Sequence, residues 1–277
     1  MRLSILVAGL AGGLLAVSAV QAATLQAAYI FNGNLNAQEN GVAALTGVNP
    51  LGTNGFSTAS LYGATRTTYV FNSDSTNNAG LTFNDSTSLI SPTSYSIEML
   101  FELSSATGLA SGTGWRRLVD TQNRQSDQGL YVDTSNNFDI YSDGAGTASF
   151  ATNTFFDVFL TDDGTTATVY VNGSPDFSVA AQGAGNNQMN LNNANNPSQL
   201  IDLFLDNIVG GGQGEYSGGQ IALFEAFNGV LSAGDVATMA ANPFADLPVT
   251  GTPEPGTWLL LSAGVAAFAM RKRPRVQ

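Results

Sequence analysis

The 277-residue chain contains no cysteine and no histidine. Without cysteine, an exported fold has to be held by its core rather than by disulfides. Without either residue there is no Ser-His-Asp triad, no Cys-His pair and no zinc site built on thiolate or imidazole. The commonest general base and metal ligand is missing too. Positive charge is scarce: 9 Lys and Arg stand against 21 Asp and Glu. Arg2, Arg271, Lys272, Arg273 and Arg275 lie at the two ends, so only Arg66, Arg116, Arg117 and Arg124 remain in the body of the chain. Against the 20 acidic residues there, the body carries a net charge of −16. Such a surface cannot supply the phosphate contacts that nucleic-acid binding needs. It favours solubility, repels anionic partners and recruits divalent cations.

What is present starts at the ends. Met1-Arg2 supplies a positive start, Leu3–Val20 is apolar, and Val20-Gln21-Ala22 puts small residues at the −3 and −1 positions. Residues 1–22 therefore read as a secretory signal peptide, cleaved between Ala22 and Ala23. Near the other end Pro253-Glu254-Pro255 makes a rigid turn, because two prolines fix φ and break any preceding element. An uncharged run, Thr257–Met270, and a basic terminus follow. As a helix the run spans about 20 Å, short of a hydrocarbon core of about 30 Å. Trp258 on one side and Arg271, Lys272, Arg273 and Arg275 on the other are membrane anchors that extend its reach. The basic end stays cytoplasmic and everything before Pro253 lies across the membrane.

A generic tail anchor or a buried helix accounts for the apolar run alone. The order of Pro-Glu-Pro, apolar helix and Arg-rich end resembles the PEP-CTERM sorting signal of Gram-negative bacteria. The resemblance implies processing near Pro253-Glu254-Pro255 by an exosortase-type enzyme, from an inner-membrane-anchored intermediate to the cell surface or extracellular matrix. Residues 248–277 form this signal and its linker, which leaves 23–247 as one domain, long enough for a core of its own.

That domain reads as all-β. Short apolar runs recur as Leu25–Phe31, Arg66–Phe71, Leu81–Asn84, Tyr95–Leu103, Arg116–Asp120 and Leu130–Asp133. They continue as Phe138–Tyr141, Phe155–Leu160, Thr168–Val171, Phe177–Val179, Ile201–Leu205 and Ile221–Phe227. Asp143-Gly144, Asp163-Gly164 and Asn172-Gly173 are hairpin signals between them. In Tyr95–Leu103 the odd positions are apolar, predicting one core face and one mostly polar, outward face. Asn36–Ala64 reads as loop. A single helix is expected over Ser232–Ala240, capped by Ser232 with Asp235 three positions on and stopped by Pro243.

Ser94–Phe101, Gly129–Val132, Val169–Gly173 and Gly219–Phe227 with Leu231-Ser232 resemble, in order, strands and the closing helix of the laminin-G-like branch of the concanavalin A-like superfamily. That resemblance implies a jelly-roll β-sandwich of two antiparallel sheets. Such a fold hosts lectins, glycosidases and adhesive modules, so function has to be read from sites. Glu98 and Glu102 repeat the one-strand spacing of the laminarinase-like glycosidases, but Leu100 stands where those carry a third carboxylate. Solvated or structural carboxylates are the plainer reading, and no catalytic residue is expected.

Asp133, Asp139, Asp143, Asp202, Asp206 and Asn207 offer hard oxygen ligands, so a structural calcium is the one cofactor considered. Ala222 stands where calcium-holding relatives carry an acid. Trp115, Tyr131, Tyr141 and Tyr216 are candidates for stacking on sugar rings, with core packing as the plainer role for each. Arg116 and Arg117 fall on opposite strand faces, one as a surface charge and one as partner to a carboxylate. The loops Gly183–Asn196 and Gly210–Gly219 are the expected contact surface. The expectation is a non-enzymatic surface protein that associates with extracellular polysaccharide. A diverged laminarinase-type hydrolase and a purely structural biofilm or envelope component are the alternatives.

Overall fold

The strand Tyr95–Leu103 shows how the sequence builds the sandwich. Tyr95, Ile97, Met99, Phe101 and Leu103 alternate along it and all five are buried in the main core, as a period of two requires of a strand with one face on a second sheet. The computed structural model describes residues 22–110, 112–180, 189–191, 193–209, 214–245 and 247. Within them the strands run in chain order as β1 (Thr24–Tyr29), β2 (Thr46–Val48), β3 (Gly55–Leu61), β4 (Ala64–Phe71), β5 (Gly80–Asn84), β6 (Tyr95–Leu103), β7 (Arg116–Asp120) and β8 (Gly129–Val132). They continue as β9 (Asn137–Tyr141), β10 (Gly144–Ser149), β11 (Phe156–Asp162), β12 (Thr166–Val171), β13 (Ser174–Ala180), β14 (Leu200–Leu203) and β15 (Gly219–Asn228), before the helix α1 (Ala233–Ala241).

One sheet has the order β13-β12-β11-β6-β15-β4-β3, with β1 also on β15; the other runs β10-β9-β8-β7-β14-β5-β2. The distant neighbours β6, β15 and β4 in one sheet, and β7, β14 and β5 in the other, are the crossovers of a jelly roll, and the pairings are antiparallel. Between the sheets Phe71 stacks on Phe204 at 4.3 Å, with Phe101 5.2 Å from the same ring. Every strand expected from the sequence is present, and Tyr95–Leu103 and Arg116–Asp120 keep their bounds. Helix α1 carries the capping box of Ser232 and Asp235 and ends at Asn242, just before Pro243. Among the described residues both sheets, the helix and the three apolar clusters all fall within 23–247, as a segment able to fold by itself requires.

Three strands lie where the sequence predicted loop or turn. β2, β3 and β10 are made of Gly, Ala, Ser, Thr and single apolar residues, and neighbouring strands impose their conformation. β3 and β4 form a hairpin closed by Tyr62-Gly63 at φ of 50° and 75°, the two-residue turn that matches strand twist.

The second face of β6 is also corrected. Glu98 is 0 % exposed, and Leu100 is buried with Leu61 and Leu223 against Phe244 and Leu247. On the same outer face Val236 and Met239 of α1 pack on Phe159, Tyr170 and Phe227. The expected outward polar face is therefore roofed by the β3–β4 hairpin on one side and by α1 on the other.

Close backbone approach fixes β7 against β8. A Cβ on Gly129 would lie 2.5 Å from the Val119 carbonyl oxygen, at the bulge where the β7–β8 register shifts. Gly129→Ala is expected to cost about 2–4 kcal/mol and lower the melting temperature by roughly 4–16 °C. A thermal melt within 2 °C of wild type would show that the bulge relaxes freely.

Candidate functional site

The outer face of the second sheet carries a buried polar row. Asp202 pairs with Asp120 across β14 and β7, and accepts a hydrogen bond from the Thr82 hydroxyl at 2.5 Å. Beside them Arg117 is 1 % exposed and forms an ion pair with Asp120. Its Nε donates to the Tyr131 hydroxyl at 2.6 Å and its terminal nitrogens to the Ser126 carbonyl at 3.1 Å. Burial pulls the guanidinium down, but Tyr131 and Asp120 outweigh it and hold Arg117 above its ordinary value. Burial raises Asp120 despite the pull of Arg117. Asp120 Oδ1 also accepts backbone N–H bonds from Gln122 and Arg124 at 2.8 and 2.9 Å, which favours the charged pair.

Above Arg117 stands a corner of three rings. Trp115 meets Tyr131 at 5.5 Å and Tyr141 at 5.4 Å, both edge to face, and the two tyrosines lie 6.4 Å apart. With Asp127 and Glu215 they line a notch of about 90 Å³. The Tyr131 hydroxyl donates to the Asp127 carbonyl at 3.0 Å, which pins the loop carrying that acid. Burial, then Asp127 and Asp206, push the Glu215 carboxyl up to about 7. Tyr141 remains 39 % exposed and Trp115 is half-buried, so these two rings reach solvent while Tyr131 is buried.

A second polar cavity of about 270 Å³ adjoins the notch, lined by Arg124, Asp206, Asn207 and Tyr216 among others. Asn207 lines it and donates through its amide to Asp127 of the notch at 3.0 Å. Gly214 borders the cavity and Glu215 the notch. Aromatic faces, carboxylates and amides thus run side by side, a chemistry suited to a hydroxyl-rich chain.

The structure brings Trp115, Tyr131 and Tyr141 together as one corner and seats Tyr216 in the neighbouring cavity. Asp127, Glu215 and Arg124 carry no motif in the sequence that marks them as site residues. Asp127 and Arg124 follow β7 in a polar loop, Glu215 lies in a Gly-rich one, and neither has a periodic signal. Both members of Arg116-Arg117 are buried, so the expected surface charge is absent. Arg116 donates to Asn136 Oδ1 at 2.8 Å and lies 5.2 Å from the Phe150 ring, and burial lowers it to about 10.

Glu98 and Glu102 stand in different surroundings. Glu98 lies beneath the roof of the first sheet, whereas Glu102 Oε1 accepts from the Gln220 amide at 2.6 Å. Among the oxygen-rich residues Asp139 is raised to about 6 by burial, then by Asp133 and Asp143 near it, while Asp202, Asp206 and Asn207 lie on β14 and just after it. Asp133 Oδ1 accepts from the N–H groups of Ser135 and Asn137, Asp206 from those of Asn207 and Glu215, and Asp202 from Thr82. Among the described residues no three His, Cys, Asp or Glu side chains are arranged to hold a metal. Ala222 is buried under the roof.

Of the two loops, Met189 and Leu191 are core residues and Asn193 and Asn196 bond the Thr121 carbonyl, so this part packs rather than presents. Ala22 and Ala23 border a groove of about 340 Å³ with Leu25, Phe227 and Met239. The signal peptide before Ala22, the processing residues Pro253, Glu254 and Pro255, and the anchors Trp258, Arg271, Lys272, Arg273 and Arg275 lie outside the described residues. No helix among the described residues is long and apolar enough to cross a membrane.

Residues 252–273 match the PEP-CTERM protein-sorting motif. The chain therefore carries the signal of exported proteins that are held at the membrane and then displayed at the surface. No curated protein matches it. Among solved structures it is similar to domain 4 of AbnA, a GH43 extracellular arabinanase from Geobacillus stearothermophilus, solved with arabinotriose. The identity is 15 %, the TM-score 0.57, and the match covers 79 % of this chain and 100 % of that one. It is also similar to botulinum neurotoxin type C at 14 % identity and a TM-score of 0.53, covering 79 % of this chain and 50 % of the toxin chain. The binding domain of botulinum neurotoxin DC with rat synaptotagmin II matches at 13 % and 0.52, over 79 % and 51 % of the two chains. At such identities the likeness shows the fold.

Proposed function

We propose that this domain is a non-enzymatic glycan-binding module, displayed at the cell surface or in the matrix around it, that holds an uncharged extracellular polysaccharide. The observation that carries this reading is the Trp115–Tyr131–Tyr141 corner over Asp127 and Glu215. An aromatic face takes the apolar C–H face of a sugar ring, while carboxylates and amides at its foot take the hydroxyls. The adjoining cavity at Asn207 and Tyr216 extends the contact along a chain. A body of net charge −16 disfavours anionic polysaccharides, hence the uncharged class. The arabinanase domain, solved with arabinotriose, and the neurotoxin, whose cell entry involves two gangliosides, are sugar-linked proteins on the same architecture.

Retention of residues 23–247 on neutral polysaccharides tests the reading. Trp115→Ala and Tyr141→Ala are each expected to weaken retention about tenfold or more, the equivalent of about 1.4 kcal/mol. The melting temperature should stay within about 5 °C of wild type, because both rings lie at the rim. Retention unchanged in both variants would remove the corner from the site. Reducing-sugar release is measured in parallel, and release that disappears in Glu215→Gln would make the module an enzyme.

A further inference from the structure

β3 ends the first sheet. Gly55–Leu61 pairs with β4 on one side, and among the described elements nothing pairs with the other. Because Tyr62-Gly63 is a two-residue turn, Leu61 and Ala64 make the hydrogen-bonded pair beside it, and the pattern alternates from there. Ladder bonds to β4 therefore use Leu61, Ala59, Ser57 and Gly55. The N–H and C=O groups of Ser60, Thr58 and Phe56 face the open edge.

Exposed edges are usually guarded by charge, proline or a bulge. The opposite edge of this sheet follows the rule. β13 carries Pro175 and Asp176, and Asp176 Oδ1 accepts the N–H groups of Thr147 and Ala148 at 2.8 Å, tying it to the other sheet. β3 has no such guard, and residues 41–65 contain no charged side chain at all. The edge is apolar as well. Five large hydrophobic side chains are exposed among the described residues, and Leu51 (37 %), Phe56 (42 %) and Tyr62 (47 %) lie on or beside this strand.

We propose that β3 is a dimerisation edge, pairing antiparallel with β3 of a second copy of this chain to continue the sheet across a two-fold axis. Charge selects the occupant. Two bodies of net charge −16 repel each other over most of their surfaces, and the uncharged stretch 41–65 is where two copies approach without that penalty. The strand is also its own complement. With the axis at Thr58, Thr58 of one copy faces Thr58 of the other and Phe56 faces Ser60, so the outward groups close about six hydrogen bonds. The Thr58–Thr58 pair is itself favourable across strands. The aromatic corner lies on the other sheet and stays open, so the dimer presents two sugar sites and gains avidity on a polymer.

The test is the solution mass of residues 23–247 across the micromolar range, by light scattering on a sizing column and by sedimentation. Wild type is expected at twice the monomer mass, with the dimer tightening as salt screens the repulsion. Thr58→Pro removes an outward donor and leaves the β4 ladder intact, a place where an edge strand accepts proline. Thr58→Lys sets two like charges opposite each other. Each is expected to raise the dimer dissociation constant at least about tenfold, while the monomer melt stays near wild type for the lysine variant. A wild type that is monomeric throughout overturns the proposal, as does a dimer that survives both substitutions or loosens with salt.

Discussion

Arg117→Met is expected to lower the melting temperature by about 6–20 °C and to abolish polysaccharide retention in the same step. The guanidinium is 1 % exposed and Asp120 is 0 % exposed, so removing the cation strands a carboxylate in the protein interior. Breaking a buried pair on one side costs about 3–5 kcal/mol, and in a domain of this size each kcal/mol shifts the melt by about 2–4 °C. The loss reaches the notch because Arg117 also holds the Tyr131 hydroxyl and the Ser126 carbonyl, and Tyr131 in turn pins Asp127. Double replacement with apolar side chains, Arg117→Met with Asp120→Leu, separates the two effects. It leaves no unpaired charge, so most of the stability should return while retention stays lost. A single variant that melts like wild type would mean that Asp120 takes up a proton or water at little cost. A double variant that recovers retention would show that the ring corner stands without its cation.

This coupling marks where the sequence stops being legible. β6 could be read because five apolar residues recur at every second position, and α1 because Ser232, Asp235 and Pro243 punctuate it. Trp115, Tyr131 and Tyr141 could be named as sugar-facing candidates by residue type. Their convergence depends on β7, β8 and β9 being sheet neighbours, with Gly129 admitting the close β7–β8 approach. Asp127 and Glu215 are 88 positions apart in aperiodic loops, and their meeting at the notch follows from the loops those strands carry. The second face of β6 departs from its sequence pattern for a related reason. Glu98 looks outward by alternation, but alternation says only which side of the sheet a residue takes. The roof over that side comes from β3, whose Gly-Phe-Ser-Thr-Ala-Ser-Leu lacks a strong strand signal, and from Phe244 and Leu247 at the far end of the domain.

The roofed acids make the domain an acid-stabilised one: raising the pH from 5 to 8 is expected to lower its melting temperature by about 10 °C. Glu98 and Asp157 are 0 % exposed and Glu225 4 %. The carboxyl oxygens of Glu98 and Asp157 meet no N–H or hydroxyl donor, which leaves a proton held between carboxyl groups as the way to satisfy them. Burial first, then Asp157 and Glu225, push Glu98 well above the ordinary carboxyl range. Burial brings Asp157 to about 7, although its contact with Glu98 pulls the other way. The phenol facing them from the hairpin tip, Tyr62, is raised to about 12 by burial, then by Asp157 and Glu98, and stays neutral. Between about pH 4 and pH 7 the folded chain therefore holds protons that the unfolded chain has released. The contribution of these raised carboxyls is full below about pH 4 and is lost as pH rises through the folded values. Asp85, Asp139, Asp162 and Asp202, each raised to about 6 chiefly by burial, act in the same direction. Asp74, Asp163 and Asp235 are lowered by hydrogen bonds within their own turns and lose their contribution only in more acid solution. The Glu98–Asp157 pair, buried and sharing its protons, contributes most to this fall. Glu98→Gln removes one of the protons the roof demands and supplies an amide donor to Asp157. The variant should melt above wild type at pH 8 and with a flatter pH slope. A wild-type melt that is level or rising from pH 5 to pH 8 would mean that water reaches these carboxyls and that the roof is open.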